Sequence, residues 1–318
     1  MGQNVNNEAP YFSVIMNCHN SDEFLQEAID SVFSQSFDSW EIIFFDNEST
    51  DKSSTIARKF DARLRYFYNP EKVPLGKARN LAIEKARGKY LCFLDCDDLW
   101  TEAKLTLQHD KLESWNGGRE AAICYTNAMR IRENGETITP YSLGRTMVEG
   151  DVFLALMQDC FVAMSSCAVN RQVSIDHDLF REDLEIIEEW DLWIRISRSY
   201  DFCYVPEIAT KIRFHDNNTS RNYLLQHSEI MDMINRVEMP NALESHRKKL
   251  RLWFRMRYLI IHTIHEIRKG VVPGIYAVVR VVGFSILHPT TTFQMVKNYM
   301  SPSMIRFFLL KFSSRKRA

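Results

Sequence analysis

The first hundred residues alternate short apolar runs with stretches of helical pattern, and each apolar run ends in a polar turn. The apolar runs are predicted strands, and they cover Tyr11–Asn17, Trp40–Phe45, Leu64–Tyr68 and Tyr90–Leu94. This alternation implies right-handed crossovers and a parallel sheet packed against helices. The sequence therefore predicts the α/β class, with a Rossmann-like, mostly parallel sheet flanked by helices and a helical region at the C-terminus.

Polar residues follow three of the predicted strands, in Asn17–Asn20, Asp46–Ser49 and Asp95–Asp98. In open sheets of this kind, ligands bind beyond the carboxyl ends of the strands. We therefore expect these three turns to line one crevice. Farther along, the patterns predict a hairpin around Asn134-Gly135, a strand at 165–169 and a helix at 188–198.

The strongest local signal is Asp95-Cys96-Asp97-Asp98, which places three carboxylates within four residues. Carboxylates this close repel one another, so they need exposure to solvent or a bound cation. Mg²⁺ or Mn²⁺ held by one or two of them together with a diphosphate would satisfy that need. A solvated turn in which Asp98 caps a helix explains the same pattern, and the turn alone does not decide between the two.

Three further groups indicate chemistry only when they are taken together. Asp46 and Asn47 offer hydrogen-bonding atoms that suit the edge of a base, and Arg79 lies on a helix from which it could reach a phosphate. Glu188–Asp191 places three carboxylates on a predicted helix, where partial burial beside the neighbouring tryptophans would raise the pKa of Glu189. Each group also has an ordinary explanation, as a helix cap, a surface arginine or a solvated acidic face.

The order and spacing of these motifs resemble the family 2 inverting nucleotide-sugar glycosyltransferases, which have the GT-A fold. Five segments over about 185 residues carry the resemblance. The family patterns S-V-I-x-P-x-Y-N, E-I-I-V-V-D-D-G-S-T-D and G-x-x-x-A-R-N-x-A/G resemble Ser13–Asn20, Glu41–Asp51 and, in a shorter form, Gly76–Ala82. The patterns G-x-Y-I-x-F-L-D-x-D-D and E-D-W-D-L-W-L-R resemble Gly88–Asp98 and Glu188–Arg195.

The resemblance implies a role for each matching residue. Glu189 would be the base that deprotonates the acceptor hydroxyl, and Asp191 would belong to the same catalytic group. Asp97 and His215 would hold Mn²⁺ or Mg²⁺ at the donor diphosphate. The residues that the resemblance assigns to the donor are Asn17, His19, Asp46, Asn47, Arg79, Asp95 and Arg213.

The sequence departs from the family pattern in three places. Asn47 replaces the second Asp of the family's pair, which leaves the identity of the nucleotide open. Cys18-His19 replaces the usual Thr-Tyr near the base, and Glu189 replaces an Asp, so its carboxylate stands one methylene farther from the backbone. We interpret these departures as variations within an active enzyme.

The C-terminal region differs from the rest of the chain in charge. Residues 241–318 carry a net charge of +13, whereas residues 1–240 carry −14. Residues 247–269 form a predicted amphipathic helix with basic and aromatic side chains, which is typical of helices in a membrane interface. Residues 275–287 are more apolar but include Arg280. We expect this region to attach the protein to an anionic membrane surface, and a helical subdomain packed on the catalytic core is the alternative.

These patterns divide the chain into a flexible N-terminus at 1–10, a GT-A domain at 11–238 and a basic, apolar helical region at 239–318. The seven cysteines are scattered without a CxxC pair, which favours a reducing compartment over a disulfide framework. The polar first ten residues lack the apolar segment of a secretory signal. We therefore expect a cytoplasmic protein that is peripheral on the inner face of the cell membrane.

The predicted function is inverting transfer of a sugar from a nucleotide-diphosphate sugar to a hydroxyl of a saccharide acceptor. We expect a lipid-linked acceptor, in the synthesis of a bacterial-type surface polysaccharide or lipopolysaccharide, and no nucleic-acid partner. The alternatives are a soluble glycosyltransferase with a cytosolic acceptor, a sugar-phosphate nucleotidyltransferase and a non-catalytic carbohydrate-binding protein. The lack of glycine in Asn17–Ser21 argues against the nucleotidyltransferase, and the lack of GxGxxG argues against a dehydrogenase.

Overall fold

The computed structural model of the protein describes residues 9–215, 222–238 and 244–269. The chain divides into two units between Asn218 and Thr219. The first unit contains a sheet with its helices, and the described part of the second contains two helices that pack on each other. The boundary predicted from the sequence, at 238/239, lies after the first of these helices and stays a prediction. Residues 1–8 of the expected flexible N-terminus lie outside the described residues.

Nine strands in the described part of the first unit form one sheet. In chain order they are β1 (Phe12–Cys18), β2 (Trp40–Asn47), β3 (Leu64–Asn69), β4 (Tyr90–Phe93), β5 (Leu99–Trp100), β6 (Ala121–Arg132), β7 (Thr137–Pro140), β8 (Cys167–Asn170) and β9 (Asp201–Phe214). The first four strands, the β6–β7 hairpin and β8 confirm the predictions. The sequence patterns indicate neither β5 nor β9.

The helices of this unit lie between the strands along the chain. They are α1 (Asp22–Phe33), α2 (Ser53–Ala57), α3 (Leu75–Ile83), α4 (Lys104–Glu113), α5 (Phe153–Leu156), α6 (Arg171–Asp176) and α7 (Glu188–Ser197). α1 buries Leu25, Ala28, Ile29 and Val32, which share one helix face. These side chains join a core formed with one set of alternate residues of β1, β2 and β4.

The sheet order is β3-β2-β1-β4-β8-β6-β9-β5. β1 runs parallel to β2 and β4, and β2 runs parallel to β3, whereas β8 lies antiparallel between β4 and β6. Cys18 at the end of β1 is in register with Asp46 in β2. The polar turns after β1, β2 and β4 therefore lie at one edge of the sheet, which confirms the predicted arrangement.

The turns after β1 and β2 are tied together by Asn20. The sequence pattern favours Asn20 as the cap of α1, but Asn20 has a left-handed backbone (φ 53°), and its Oδ1 accepts a hydrogen bond from the Thr50 N–H at 2.8 Å. The Asp22 N–H at the start of α1 is bonded by Asp51 Oδ2 at 3.0 Å instead. The polar side chains of these two turns therefore brace the edge of the sheet against each other.

β9 brings distant residues to the same edge. It is 14 residues long and runs parallel to β6, with Arg213 in register with Ile131. Register shifts interrupt this pairing, and Pro206 lies within the strand beside exposed residues. Proline and irregular burial are atypical of a central strand. They interrupt the alternation of apolar and polar residues that marks a strand, so the sequence does not predict β9.

In the second unit, α8 (Tyr223–Arg236) packs against α9 (Glu244–Lys269). The Arg247 guanidinium donates to the carbonyl groups of Ile234, Asn235 and Val237. These bonds give partners to carbonyl groups that the C-terminal end of α8 leaves without helical ones. The expected helix at 247–269 is confirmed, whereas residues 275–287 lie outside the described residues. Within the described ranges, no helix combines the length and the apolar content needed to cross a bilayer.

Candidate active site

The acidic turn after β4 is fixed by hydrogen bonds from β9 and from the segment before β8. Asp98 is only 4% exposed, and it accepts a hydrogen bond from the Arg213 N–H at 2.9 Å. The Asp95 N–H donates to Ser165 Oγ at 3.2 Å. Burial and the charges of Asp97 and Asp95 raise the pKa of Asp98 well above its usual range. Asp98 therefore supports the turn from inside the protein, while Asp95 and Asp97 remain accessible.

Asp97 and His215 form the contact that best suits a metal ion. His215 follows β9, and its Nε2 lies 2.7 Å from Asp97 Oδ2. The two side chains are 26% and 16% exposed. Carboxylate oxygen suits Mg²⁺ and Mn²⁺, and an imidazole nitrogen favours a transition metal, so this donor set fits Mn²⁺. Among the described residues, no three acidic, histidine or cysteine side chains cluster as a metal site, so the remaining ligands would come from diphosphate or water.

The Arg213 guanidinium donates hydrogen bonds to protein acceptors. Its side chain is 2% exposed, and its Nε donates to the Asp97 carbonyl at 2.9 Å. Its two terminal nitrogens donate to the Glu133 carbonyl at 2.6 Å and to Glu27 Oε2 at 2.9 Å. This geometry braces the acidic turn, and the expected contact between Arg213 and the donor stays a prediction.

An ion pair joins α3 to the start of α7. Arg79 is 5% exposed, and it donates from Nη1 to the Glu188 carboxylate and from Nη2 to Asp95 Oδ1, the latter at 3.4 Å. Burial alone lowers the pKa of Arg79, but the neighbouring carboxylates, with Glu188 foremost, raise it overall. Arg79 is therefore a permanent cation between the acidic turn and α7, and it reaches carboxylates where a phosphate was expected.

The residues around Arg79 fasten the segment that leads to α7. Asn80 Nδ2 donates to the Phe180 carbonyl at 2.8 Å, and Asn80 Oδ1 accepts from the Phe180 N–H at 3.0 Å. A Cβ at Gly76 would lie 2.5 Å from the Arg181 carbonyl oxygen, so only glycine fits there. The G-x-A-R-N sequence of this chain thus has a structural reason at Gly76, Arg79 and Asn80.

Glu189 lies in the first turn of α7 and is partly buried. Burial and the charge of Glu188 raise the pKa of Glu189 to about 8, and Arg79 opposes them. The ionised form of a carboxyl group with this pKa is a stronger base than an ordinary glutamate, and it is populated only in part near neutral pH. The pKa shift expected from the tryptophan-flanked motif is therefore present.

Asp191 is engaged within its own helix. It is 8% exposed, and its Oδ2 accepts a hydrogen bond from Arg195 Nε at 2.8 Å. Arg195 Nη2 in turn donates to the Leu179 carbonyl at 2.6 Å. The geometry therefore makes Asp191 a brace between α7 and the preceding segment, and the catalytic role that the resemblance implies for it stays a prediction.

Asp46 and Asn47 reach the expected edge but contact protein partners. Asp46 is fully buried, and it accepts from the Ser49 N–H at 2.8 Å and from the Tyr66 hydroxyl at 2.5 Å. Asn47 donates to the Val73 carbonyl at 2.8 Å and accepts from the Val73 N–H at 3.1 Å. These bonds hold the walls of the crevice, so direct contact with a base stays a prediction.

Asn17 and His19 complete the edge after β1. The amide nitrogen Asn17 Nδ2 is buried and has no hydrogen-bond partner among the described residues. His19 Nδ1 lies 2.9 Å from the Asn47 carbonyl oxygen, which orients its ring. An unsatisfied buried donor is costly, so the Asn17 amide suits a ligand acceptor.

Sequence reasoning assigned no role to Glu188, Tyr66 or Ser165. Glu188 lies in a recognised motif, and its position beside Glu189 could have indicated a pKa effect. Tyr66 and Ser165 contact the acidic residues only through the fold, and no sequence pattern marks them.

The sequence matches the model of glycosyl transferase family 2 over residues 13–177. An uncharacterized glycosyltransferase of Rickettsia bellii is 31% identical over 210 residues, which cover 65% of this chain and 29% of the relative. The Bacillus subtilis protein TuaG, a glycosyltransferase named for teichuronic acid biosynthesis, is 26% identical over 221 residues, which cover 68% of this chain and 84% of TuaG. The chain thus matches less than a third of the length of the Rickettsia bellii relative.

Solved structures share the fold. Residues 1–349 of S. aureus TarS, in complex with UDP-GlcNAc, superpose with a TM-score of 0.61 at 17% identity, covering 78% of this chain and 72% of that one. The mannosyltransferase PcManGT of Pyrobaculum calidifontis, in complex with GDP-Man and Mn²⁺, gives 0.60 at 14% identity, covering 92% and 85%. These likenesses confirm the expected GT-A fold. Since the family model also matches more than half of the sequence, the chain belongs to glycosyl transferase family 2.

Proposed function

We propose that the protein is an inverting glycosyltransferase that moves a sugar from a nucleotide-diphosphate sugar to a hydroxyl of a saccharide acceptor. One observation carries the proposal: a continuous charge network runs from Glu189 through Glu188 and Arg79 to Asp95, two residues before Asp97. The network links a carboxyl group with a pKa of about 8 to a site that suits a divalent cation. The nucleotide sugars bound by TarS and PcManGT support a donor of this class.

Asp97 and His215 would hold Mn²⁺, or Mg²⁺ with weaker preference. When bound, the ion supplies charge neutralisation for the departing diphosphate. The Mn²⁺ in the PcManGT complex supports a divalent ion here. Asp95, whose side chain is 49% exposed, is available to hydroxyls of the donor sugar or ribose. Asn17 would donate its unpaired amide N–H to the nucleotide, beside His19, Asp46 and Asn47.

Glu189 would remove the proton of the acceptor hydroxyl while the oxygen attacks the anomeric carbon. Attack from the face opposite the leaving diphosphate inverts that carbon. General-base help of this kind contributes roughly 10²–10⁴-fold to the rate. Glu188 holds the pKa of Glu189 up, and Arg79 keeps Glu188 paired, so the three residues act as one unit. Arg213 and Asp191 would help to position the site.

The acceptor would be a lipid-linked saccharide for a surface polymer, a role that the name of TuaG supports. In α9, Lys248, Lys249 and Arg255 are exposed, and residues 241–318 carry a net charge of +13. Each basic residue near an anionic leaflet contributes about 1 kcal/mol of attraction. We therefore propose peripheral attachment to the inner face of the cell membrane through this region.

A donor screen by calorimetry tests the catalytic proposal. One nucleotide sugar should bind in Mn²⁺ and lose binding in EDTA, and NMR of the product should show an inverted anomeric linkage. Glu189→Gln should abolish most turnover and spare donor binding. Retention of configuration, or full turnover by Glu189→Gln, would refute the mechanism.

Vesicle sedimentation tests the membrane proposal separately. The protein should bind vesicles that contain phosphatidylglycerol and leave them as salt is raised, because surface charges are screened. Equally strong binding to neutral phosphatidylcholine vesicles, or no binding to either kind of vesicle, would contradict an electrostatic attachment.

A further inference from the structure

Two arginines flank one tyrosine beside the β6–β7 hairpin. The Arg130 guanidinium carbon lies 5.0 Å from the centre of the Tyr141 ring, and that of Arg145 lies 4.2 Å from the same centre. Arg130 also lies 5.8 Å from the centre of the Phe214 ring. We call these four side chains, Arg130, Tyr141, Arg145 and Phe214, the arginine–tyrosine cluster. The guanidinium groups lie over the faces of these rings, a contact that arginine can make while its N–H groups bond to other partners.

The cluster holds more positive than negative charge. Arg145 is paired with Asp159, whose Oδ2 lies 3.1 Å from Arg145 Nε. Arg130 makes a 3.4 Å hydrogen bond to Thr139 Oγ1, and in the described part of the chain it forms no salt bridge. Burial and the charge of Arg145 lower the pKa of Arg130. Tyr141 and Asp159 oppose these effects in part. One acidic side chain against two arginines leaves the cluster with an excess positive charge, which favours the binding of an anion.

The cluster is connected to segments at both functional ends of the site. The Tyr141 hydroxyl donates to the Cys160 carbonyl at 3.3 Å, and the charge of Glu189 acts on the Cys160 thiol, whose pKa is raised by burial first and by Glu189 next. At its other end, Phe214 directly precedes His215. These links connect the cluster to the segment around Cys160, on which the charge of the proposed base acts, and we take this side of the cleft as the acceptor side.

We propose that Arg130, assisted by Arg145, binds an anionic group of the acceptor, either a phosphate or a carboxylate, and so selects charged saccharides or polyol phosphates over neutral ones. The inference rests on the proposed function, because it takes the Glu189 side of the cleft as the acceptor side. Arginine suits this role since its planar donors match the paired oxygens of both groups. Arg130 does not take part in the chemical step, and it acts by positioning the acceptor.

Binding of small probes tests this site without knowledge of the natural acceptor. Glycerol 1-phosphate and methyl glucuronide are compared with glycerol and methyl glucoside by ligand-observed NMR, with UDP or GDP and Mn²⁺ present. The proteins are the full chain, Arg130→Gln, Arg130→Lys and Arg132→Gln. Arg132 is a matched control, because it lies on the same strand with its side chain 65% exposed.

One or both anionic probes should bind the wild type and Arg132→Gln, with no binding of the neutral probes. Arg130→Gln should weaken that binding roughly tenfold to a hundredfold, the range for a charge-assisted hydrogen bond, and Arg130→Lys should retain part of it. Preference for glycerol 1-phosphate or for the glucuronide identifies the anion. Equal binding of neutral probes, unchanged binding by Arg130→Gln, or no anion binding by the wild type would overturn the proposal.

Donor hydrolysis separates this inference from the proposed function. Slow release of sugar from the nucleotide sugar, without an acceptor, should be the same in Arg130→Gln and the wild type, which also shows that the variant is folded. Loss of donor hydrolysis in Arg130→Gln would place the residue on the donor side and contradict the inference. Absence of hydrolysis and of donor binding in every protein would instead count against the proposed function.

Discussion

Arg79 and Glu188 form a buried ion pair that connects α3 to the first turn of α7, with side chains only 6% and 3% exposed. The pair acts on its neighbour Glu189 in two directions. The charge of Glu188 raises the pKa of Glu189, and the charge of Arg79 lowers it. The pKa of about 8 is therefore a balance that depends on both partners and on burial.

The first prediction concerns the pH dependence of the wild-type enzyme. Glu189 must be ionised to accept a proton, and its raised pKa delays ionisation until the pH approaches about 8. We expect kcat/KM to rise with pH and to level off above that value, with the midpoint near 8. Initial rates measured between about pH 6 and pH 9 check this. A flat profile over this range would exclude Glu189 as a base with this pKa.

The second prediction is that Glu188→Gln moves the midpoint of the same profile to lower pH. The substitution removes the negative charge that disfavours ionisation of Glu189. The positive charge of Arg79 remains and favours that ionisation. Glu182→Gln is the control, because Glu182 precedes α7 with a 53% exposed side chain. A midpoint that stays in place, or moves upward, would contradict the coupling between the two carboxyl groups.

Much of the fold and part of the site could be predicted from the sequence. The buried runs of β1, β2 and β4 are continuous, so their order and parallel direction follow from local pattern, and the turns after them carry the motif residues. β9 could not be predicted, because Pro206 and register shifts break its pattern. The contact between Asp97 and His215 depends on β9, and so only the resemblance pointed to it.

Side-chain partners were the least predictable feature. Arg79, Asp191 and Arg213 each lie where the motifs place them, yet each is held by partners that the sequence does not reveal: Glu188, Arg195 and Glu27. A motif identifies which residues meet at an edge, but burial decides whether a charge faces a ligand or another residue. Arginines that are 2% to 5% exposed bind protein carboxylates here.

The third prediction is that Asp97→Asn removes the dependence of donor binding on Mn²⁺. The amide oxygen is a weaker ligand than a carboxylate, and His215 alone cannot hold the ion. We expect Mn²⁺-dependent turnover to fall by about a hundredfold or more, since an ion of this kind contributes several kcal/mol. Asp110→Asn is the control, because the Asp110 side chain is 71% exposed. Titration of Mn²⁺ by calorimetry with UDP and GDP checks it, and unchanged affinity would remove Asp97 from the metal site.

The fourth prediction is that Ser165→Ala weakens metal binding although Ser165 is not one of the proposed ligands. Its hydroxyl accepts from the Asp95 N–H and holds the acidic turn, and it is 1% exposed. Loss of such support typically lowers metal affinity about tenfold to a hundredfold. Ser174→Ala is a matched control, since Ser174 is equally buried and donates to the Arg171 carbonyl at 2.8 Å. Both variants should lose about 1 kcal/mol of unfolding free energy, but only Ser165→Ala should change Mn²⁺ affinity.

The fifth prediction tests the departure of Asn47 from the Asp of the family pattern. Asn47 donates to the Val73 carbonyl at 2.8 Å, and the ionised carboxylate of Asn47→Asp would face that oxygen without a proton to donate. An unsatisfied buried acceptor pair costs about 1–3 kcal/mol, so we expect Tm at neutral pH to fall by several degrees.

Lowering the pH should reverse part of that loss, because the carboxyl group introduced by Asn47→Asp can donate to the Val73 carbonyl once it is protonated. Melting of the wild type, Asn47→Asp and the exposed control Asn116→Asp at about pH 7 and pH 5 measures the difference. If Asn47→Asp melts like the wild type at both values, the loop at Val73 does not depend on the amide, and Asn47 is then available to the base of the donor.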